Sequence, residues 1–136
     1  MIEMELSKIV IDEKRHDQLI VLKEKNGERV LPIVIGLVEA SAIKLKLSGF
    51  QPPRPLTHDL LHSTIGDLGA KIERIVINKL EENTFHAKMV LKTASGEEKV
   101  IDTRPSDSIA LAVRAHAPIF VEDSIIKKSA IFNQDK

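Results

Sequence analysis

The sequence contains no cysteine, no tryptophan and no tyrosine among its 136 residues. Without cysteine the chain can form neither a disulfide nor a thiolate zinc site, and it lacks a thiol nucleophile. We therefore expect a protein of the reducing cytoplasm, in which any metal ion would be bound by histidine and carboxylate side chains.

Long apolar runs are absent as well. The longest stretches, such as residues 33–38, are far shorter than the roughly 20 residues that cross a bilayer. The first residues, MIEMELSKIVID, alternate like a strand and carry acids where a secretory signal would carry lysines. The sequence predicts a soluble protein with no targeting segment and no membrane partner.

The chain has no excess of positive or negative charge, and aromatic side chains are few. Twenty basic residues balance twenty acidic ones, and four phenylalanines are the only aromatic residues. Proteins that track a long nucleic-acid backbone usually carry a basic stripe, and single-strand binders add aromatic stacking surfaces. We therefore expect any nucleic-acid footprint to be small.

The motifs of several enzyme classes are also missing. The chain has no glycine-rich phosphate loop, no dinucleotide fingerprint, no G-x-S-x-G elbow and no H-E-x-x-H pair. Hydride transfer, ATP hydrolysis and serine-type acyl transfer therefore lack their usual sequence support, and we expect no organic cofactor.

An internal similarity is the main positive feature. Residues 21–47 and 90–115 resemble each other, and similar short strands precede them, KIVI at 8–11 and RIVI at 74–77. The pattern predicts an α+β fold built from a duplicated βββα unit, with a mixed or antiparallel sheet and a helix inserted between the repeats. The chain fits one domain, 1–136. Its predicted parts are repeat one at about 4–48, the insertion at 49–70, repeat two at about 71–121 and a tail at 122–136.

Glycine and proline mark the ends of the predicted elements. We expect Gly27 and Gly96 to supply the positive φ of two hairpin turns. A helix over residues 36–47 should end at Ser48 and Gly49, and its counterpart should begin at Pro105.

The insertion and the end of the chain should add smaller elements. Thr57 is the expected N-cap of the inserted helix, which should end at Gly66 or Gly69. A short strand is expected at 117–121 and a helical turn at 123–128. Because both repeat helices are apolar, we expect them to be buried against the sheet, each other or another subunit, and we expect a homo-oligomer, a dimer or a trimer.

Glu39 and Asp107 occupy matching places, each near the start of a repeat helix. A carboxylate there is stabilised by the helix dipole wherever it occurs. Alternatively, a pseudo-two-fold axis brings the two carboxylates together, where they could hold a divalent cation or raise each other's pKa. The distance between them decides between these interpretations.

A second polar cluster lies in DTRPSDSIA, residues 102–110. Asp102 ends a strand, while Ser106 and Asp107 lie in the first turn of a helix whose free N–H groups favour an anion. Arg104 could bind a phosphate in a forked geometry. In the alternative interpretation Asp102 and Arg104 pair with each other and Ser106 only caps the helix.

The insertion carries Arg54 between two prolines, followed by His58, Asp59 and His62. His58 and His62 share one helix face at a spacing compatible with a metal, although an exposed pair is the commoner meaning. A stiffened Arg54 is suited to present its charge to a ligand. Alternatively, Arg54 forms an ion pair with Asp59 or with Asp67.

Three stretches carry a resemblance to a known family. PRPLTHDLL (53–61), IDTRPSDSIALAVRAHAPIFV (101–121) and LPIVIGLVEASAI (31–43) resemble the bifunctional nuclease (BFN) domain family. Members are described as nucleases acting on RNA and DNA, so the resemblance implies phosphodiester hydrolysis with nucleic acid as the substrate. The motif positions that it implies are Arg54, Pro55, Thr57, His58, Asp59, Asp102, Arg104, Pro105, Ser106, Asp107 and Glu39.

The roles of these residues are our own hypotheses. His58 is the expected general acid or base, and Arg54, Arg104 and Ser106 are expected to bind phosphate. The acids Asp107, Asp102, Asp59 and Glu39 are candidates to hold Mg²⁺ or Mn²⁺, foremost Glu39 and Asp107. The predicted catalytic group is therefore His58, Asp107, Asp102 and Asp59.

Two alternative functions stay open. One is a non-enzymatic regulatory module that binds an anion or a partner, and the other is an assembly scaffold. The nuclease hypothesis requires the insertion and the start of the second repeat helix to line one cleft.

Overall fold

The structure, a computed structural model, describes the backbone of residues 1–134 and the side chains of residues 1–129. The described residues form seven strands and four helices. The strands are β1 (Ile2–Val10), β2 (Gln18–Glu24), β3 (Val30–Ile35), β4 (Lys71–Glu81), β5 (Thr84–Lys92), β6 (Glu98–Thr103) and β7 (Ile119–Val121). The helices are α1 (Leu37–Leu47), α2 (Thr57–Asp67), α3 (Pro105–Ala115) and α4 (Asp123–Gln134).

All seven strands join one sheet in the order β3-β2-β1-β7-β4-β5-β6. Neighbours are antiparallel except β4 and β7, which are parallel. The predicted α+β class, the mixed sheet and the inserted helix are therefore confirmed. Each half of the sheet is an antiparallel three-stranded meander followed by a helix, but the internal duplication itself stays a prediction.

The two repeat helices bury their apolar faces within the chain. Helix α3 packs against α1 and against the sheet, and Ile109 and Leu111 are almost fully buried, as is Ile43 in α1. Two of the three predicted environments, the sheet and the other helix, are thus confirmed. Along residues 1–134 no helix combines the length and the apolar character that spanning a membrane requires.

The final helix is longer than the sequence indicated. A helical turn was expected at residues 123–128, whereas α4 runs from Asp123 to Gln134. Asp123 in its first turn accepts bonds from Lys127 at 3.0 Å and Arg29 at 2.9 Å, which hold its pKa below the ordinary range. Residues 135 and 136 of the predicted tail lie outside the described residues.

Glycine ends α1 and α2 as expected. Gly49 and Gly69 have φ of +79° and +85°, and Gly96 in the β5–β6 turn has φ of +86°. The same prediction is wrong for Gly27, which is not among the glycines with positive φ. Its missing side chain instead leaves room for the carboxylate of Glu24, which pairs with Arg29 across the turn.

The predicted N-cap of α2 is also wrong by one residue. Leu56 is the N-cap and Thr57 is the first helical residue. The helix begins one residue earlier than predicted because the carboxylate of Asp59, three residues after Leu56, accepts the Leu56 backbone N–H at 2.9 Å. That bond satisfies the backbone N–H of the N-cap residue itself, as the third helical residue does in a capping box.

The sheet curls so that its two ends approach each other. Helix α1 follows the edge strand β3 and α3 follows the opposite edge strand β6, yet Arg104 at the start of α3 contacts Glu39 in α1 at 2.7 Å. This curling brings the beginnings of α1 and α3 together, and the inserted helix α2 packs beside them.

Candidate active site

A cleft of about 600 Å³ opens where α1, α2, α3 and β6 meet. Five of the predicted site residues line it: Glu39, His58, Asp102, Arg104 and Asp107. The structure therefore brings the insertion and the start of α3 to one cavity, as the nuclease hypothesis requires.

Asp107 is the central group of the cleft. Its Oδ1 lies 2.9 Å from Nε2 of the buried His58, and its Oδ2 accepts bonds from Nε and Nη2 of Arg104 at 2.9 and 2.7 Å. Burial pushes the pKa of Asp107 upward, but the bonds from His58 and Arg104 outweigh that effect and hold it below its ordinary value. Asp107 is therefore ionised near neutral pH and orients the imidazole of His58.

Arg104 links the two repeat helices. Its Nη2 lies 2.7 Å from Oε1 of Glu39 as well as 2.7 Å from Oδ2 of Asp107. The bonds to Asp107, and then that to Glu39, raise the pKa of the guanidinium. The open question about Glu39 and Asp107 is thereby answered, because the two carboxylates meet at one guanidinium group.

The start of α1 is shaped to accept the Glu39 carboxylate. Glu39 lies in the first turn, where the helix dipole favours an anion, and Gly36 is the N-cap. A Cβ atom at Gly36 would approach Oε2 of Glu39 to 2.9 Å. The absence of a side chain at this position thus lets Glu39 fold back over the helix end and reach Arg104.

This donor set does not fit a divalent cation as it stands. Both oxygens of Asp107 accept hydrogen bonds, and Glu39 is bonded to the same guanidinium. Within the described part of the chain, no three histidine or carboxylate side chains cluster as metal ligands would. Mg²⁺ or Mn²⁺ at Glu39 and Asp107 stays a prediction, and such an ion would have to displace Arg104.

Asp102 lies at the exposed mouth of the cleft. Its side chain is 74% exposed and accepts a bond from Nζ of Lys88 at 3.2 Å. The predicted alternative, a pair between Asp102 and Arg104, is not what forms, because the neighbouring strand β5 supplies Lys88 and Arg104 turns to Asp107 instead.

Four other predicted residues lie outside the cleft. Arg54 is exposed and, among the described residues, forms no ion pair, including the alternatives with Asp59 and Asp67. Ser106 is buried in a separate cavity beside β3, and no side-chain cap bond is formed at α3. His62 is half-buried one turn beyond His58.

Asp59 is the fourth, and it binds a residue that sequence reasoning missed. Arg114 is buried in α3, and its Nε donates to Oδ1 of Asp59 at 2.7 Å while its Nη1 donates to the Ala110 carbonyl at 2.8 Å. The backbone N–H of Leu56 and then Arg114 lower the pKa of Asp59, against the opposing effect of burial. This pair fastens α2 to α3 immediately beside His58.

The acid stability of the protein should depend on Asp59. Because its pKa is lowered in the folded state, its stabilisation is complete above the ordinary aspartate pKa of about 3.9 and is lost as pH falls through the folded-state value. We expect the free energy of unfolding, measured by urea titration, to fall below about pH 4 and to fall less steeply in Asp59→Asn. Identical pH profiles for both proteins would contradict this assignment.

The remaining wall of the cleft is largely apolar, with Thr57 and Thr103 as its other polar residues. Val38, Leu61, Ile65, Met89, Ile101 and Leu111 line it, and Val38 is 75% exposed at the rim. Sequence analysis did not single out these residues as a group, because they are apolar and come from five different elements. At the His58 end of the polar chain only 9% of the side chain is exposed, whereas the Arg104 side chain is 67% exposed.

Comparisons with known proteins show which family the sequence resembles. A family model described as the bifunctional nuclease domain matches residues 20–134. An uncharacterized protein of Mycobacterium tuberculosis is 37% identical over 134 residues, which are 98% of this chain and 79% of that protein. Bifunctional nuclease 2 of Oryza sativa subsp. japonica is 27% identical over 124 residues, which are 89% of this chain and 38% of the rice protein.

A further plant relative, bifunctional nuclease 1 of Arabidopsis thaliana, is 26% identical over 105 residues, which are 75% of this chain and 32% of that protein. The chain thus spans about a third of the length of these plant relatives. The matched family segment includes every polar residue of the cleft. The resemblance seen in the sequence is therefore confirmed, and the chain belongs to the bifunctional nuclease domain family.

Proposed function

We propose that this protein is a nuclease that hydrolyses phosphodiester bonds of RNA, DNA or both in the cleft at His58. The observation that carries the proposal is the continuous polar chain Glu39–Arg104–Asp107–His58 along one wall of the cavity. It combines a proton acceptor, a carboxylate that orients it and a cation for the phosphate. Family membership supports nucleic acid as the substrate.

In the proposed mechanism His58 acts as the general base. The ionised Asp107 accepts Nε2–H, which leaves Nδ1 of His58 to take a proton from water. The water oxygen forms a bond to phosphorus while the bond to the leaving sugar oxygen breaks. That oxygen gains a proton from solvent, and His58 later releases its own.

Arg104 is the proposed electrostatic catalyst. Its side chain is 67% exposed, and the bonds to Glu39 and Asp107 use Nε and Nη2. Among the described residues Nη1 has no partner, so it can donate to a phosphate oxygen. Charge that develops on phosphorus-bound oxygens would then meet a cation already held in place by two carboxylates.

The direct test is cleavage of labelled single-stranded RNA and DNA by the purified protein. We expect turnover that coelutes with the protein and is lost in Asp107→Asn, which keeps the shape of the side chain but cannot orient a protonated His58 in the same way. Binding of the oligonucleotides without turnover would contradict the nuclease and favour the anion-binding module. That alternative draws support from the zero formal net charge and the small number of aromatic residues.

A metal titration tests whether the carboxylates of Glu39 and Asp107 can bind a divalent cation. Because Arg104 neutralises Glu39 and Asp107, we expect wild-type protein to bind Mn²⁺ weakly and Arg104→Met to bind it at least tenfold more tightly. Calorimetric titration with MnCl₂ measures both dissociation constants. Arg54→Met is the matched control, because it removes an exposed arginine outside the cleft. Tight binding by wild type that Glu39→Gln abolishes would instead support the predicted Mg²⁺ or Mn²⁺ site.

The homo-oligomer and the cytoplasmic setting are retained as parts of the proposal. Exposed apolar side chains on α2 and on the edge strand β6 support association, among them Leu60 and Val100, which are each 61% exposed. The absence of cysteine supports a reducing compartment. Light scattering on the purified protein should give the mass of a dimer or a trimer.

A further inference from the structure

We propose that a second pocket, between the end of α1, residues 50–56 and α2, binds one base and an adjoining phosphate of a single-stranded nucleic acid. The inference rests on the proposed function, because it adds a second contact for the same substrate. The pocket has a volume of about 310 Å³. His58 lines the cleft and the next residue, Asp59, lines this pocket, so the two cavities meet at the first turn of α2.

The pocket presents an aromatic ring on a fixed backbone. Phe50 is 51% exposed, whereas Phe85 and Phe120, the other phenylalanines whose side chains are described, are half-buried. The Phe50 N–H donates to the Leu45 carbonyl at 3.2 Å, and Gly49 takes the left-handed conformation that ends α1. Prolines follow at positions 52, 53 and 55. The chain is thus restricted on both sides of the ring, and little conformational freedom is lost on stacking.

The charges around Phe50 favour a phosphate. Three charged side chains line the pocket, Lys46, Asp59 and Arg114, and Asp59 is bonded to Arg114. Among the described residues Lys46 forms no ion pair, and the same holds for Arg54, which stands between two of the lining prolines. A surplus of positive charge therefore lies beside the exposed ring.

An exposed ring next to unpaired cations is the combination by which proteins hold single strands, since every base has a face that can stack. A duplex buries those faces, so only an unpaired base can use Phe50. The side chains of Gln51 and Ser63 also line the pocket and can bond to base edges. With zero formal net charge overall, the chain is suited to such a local contact rather than to a long basic track.

The test measures binding in a His58→Ala background, which leaves the oligonucleotide intact. Fluorescence anisotropy gives the dissociation constant of a labelled single-stranded DNA of about eight nucleotides, within the usual site size of single-strand binders. We expect Phe50→Leu, which keeps apolar bulk but removes the ring, to raise the dissociation constant about 5- to 100-fold. An abasic oligonucleotide should bind equally weakly to both proteins.

Charge substitutions provide a second, independent measurement. Lys46→Gln should reduce the slope of log affinity against log salt by about 0.7, the value for one phosphate contact on a single strand. Lys44→Gln is the matched control, because Lys44 is exposed on the same helix two residues earlier and does not line this pocket. The control should leave the slope unchanged.

Two results would overturn the subsite. One is unaltered binding by both Phe50→Leu and Lys46→Gln, and the other is an equal loss for Phe50→Leu on normal and abasic oligonucleotides. Cleavage by wild type together with either result would contradict the subsite and still support the nuclease. Binding that depends on Phe50 without any cleavage by wild type would support the subsite and remove the nuclease.

Discussion

Replacing His58 by alanine is expected to slow cleavage of single-stranded RNA and DNA by about 10²- to 10⁴-fold, the usual contribution of a positioned acid or base. The expectation follows from geometry, because the buried ring is held 2.9 Å from an ionised Asp107 inside the cleft. No other histidine lines that cleft among the described residues. Single-turnover rates with saturating protein separate this chemical effect from weaker binding.

His62→Ala is the matched control for this experiment. His62 lies one turn further along α2 and does not line the cleft, so its loss should change the rate by less than about threefold, in keeping with the small effects of substitutions away from a site. Equal rates for wild type and His58→Ala would remove His58 from the mechanism. Equal losses in His58→Ala and His62→Ala would indicate damage to α2 rather than to chemistry.

Replacing Asp59 by alanine is expected to lower the free energy of unfolding by about 3 kcal/mol, the lower end of the range for breaking a buried ion pair. The Arg114 side chain is only 3% exposed, and Asp59 is 28% exposed and supplies its one carboxylate partner among the described residues. The substitution also removes the acceptor for the Leu56 N–H at the start of α2. Urea unfolding at neutral pH measures the loss.

Two comparisons isolate the buried pair. Asp102→Ala breaks the pair with Lys88 at the surface and should cost less than about 1 kcal/mol. The double variant Asp59→Leu with Arg114→Met replaces both charges by apolar groups and should recover much of the stability. A loss in Asp59→Ala no larger than that in Asp102→Ala would show that Arg114 does not depend on Asp59.

The sequence was most informative about which helix or strand each polar residue of the cleft belongs to. Arg104, Pro105 and Asp107 could be placed at a helix start from turn chemistry alone, and His58 could be placed on the inserted helix. Their meeting in one cleft was required by the nuclease hypothesis but could not be derived, because it depends on how far the sheet curls. The same curling decides that Glu39 and Asp107 share a guanidinium.

The errors concern residues whose role depends on an unseen neighbour. Asp59 looks like a site residue because it follows His58, but consecutive helix residues point about 100° apart, and Asp59 therefore reaches Arg114 instead. Arg114 itself lies in an apolar helix and gives no sign of burial until α2 is packed against it. Ser106 was expected at an anion site, and its place beside β3 follows only from the approach of the two sheet edges.

The position of β7 has a consequence for how the chain is completed during synthesis. Residues 119–121 are synthesised after the six other strands, yet they insert between β1 and β4 and join the two meanders. A nascent or truncated chain that lacks them would expose β1 and β4 as well as β3 and β6. Four open edges in place of two would make such a product prone to aggregate.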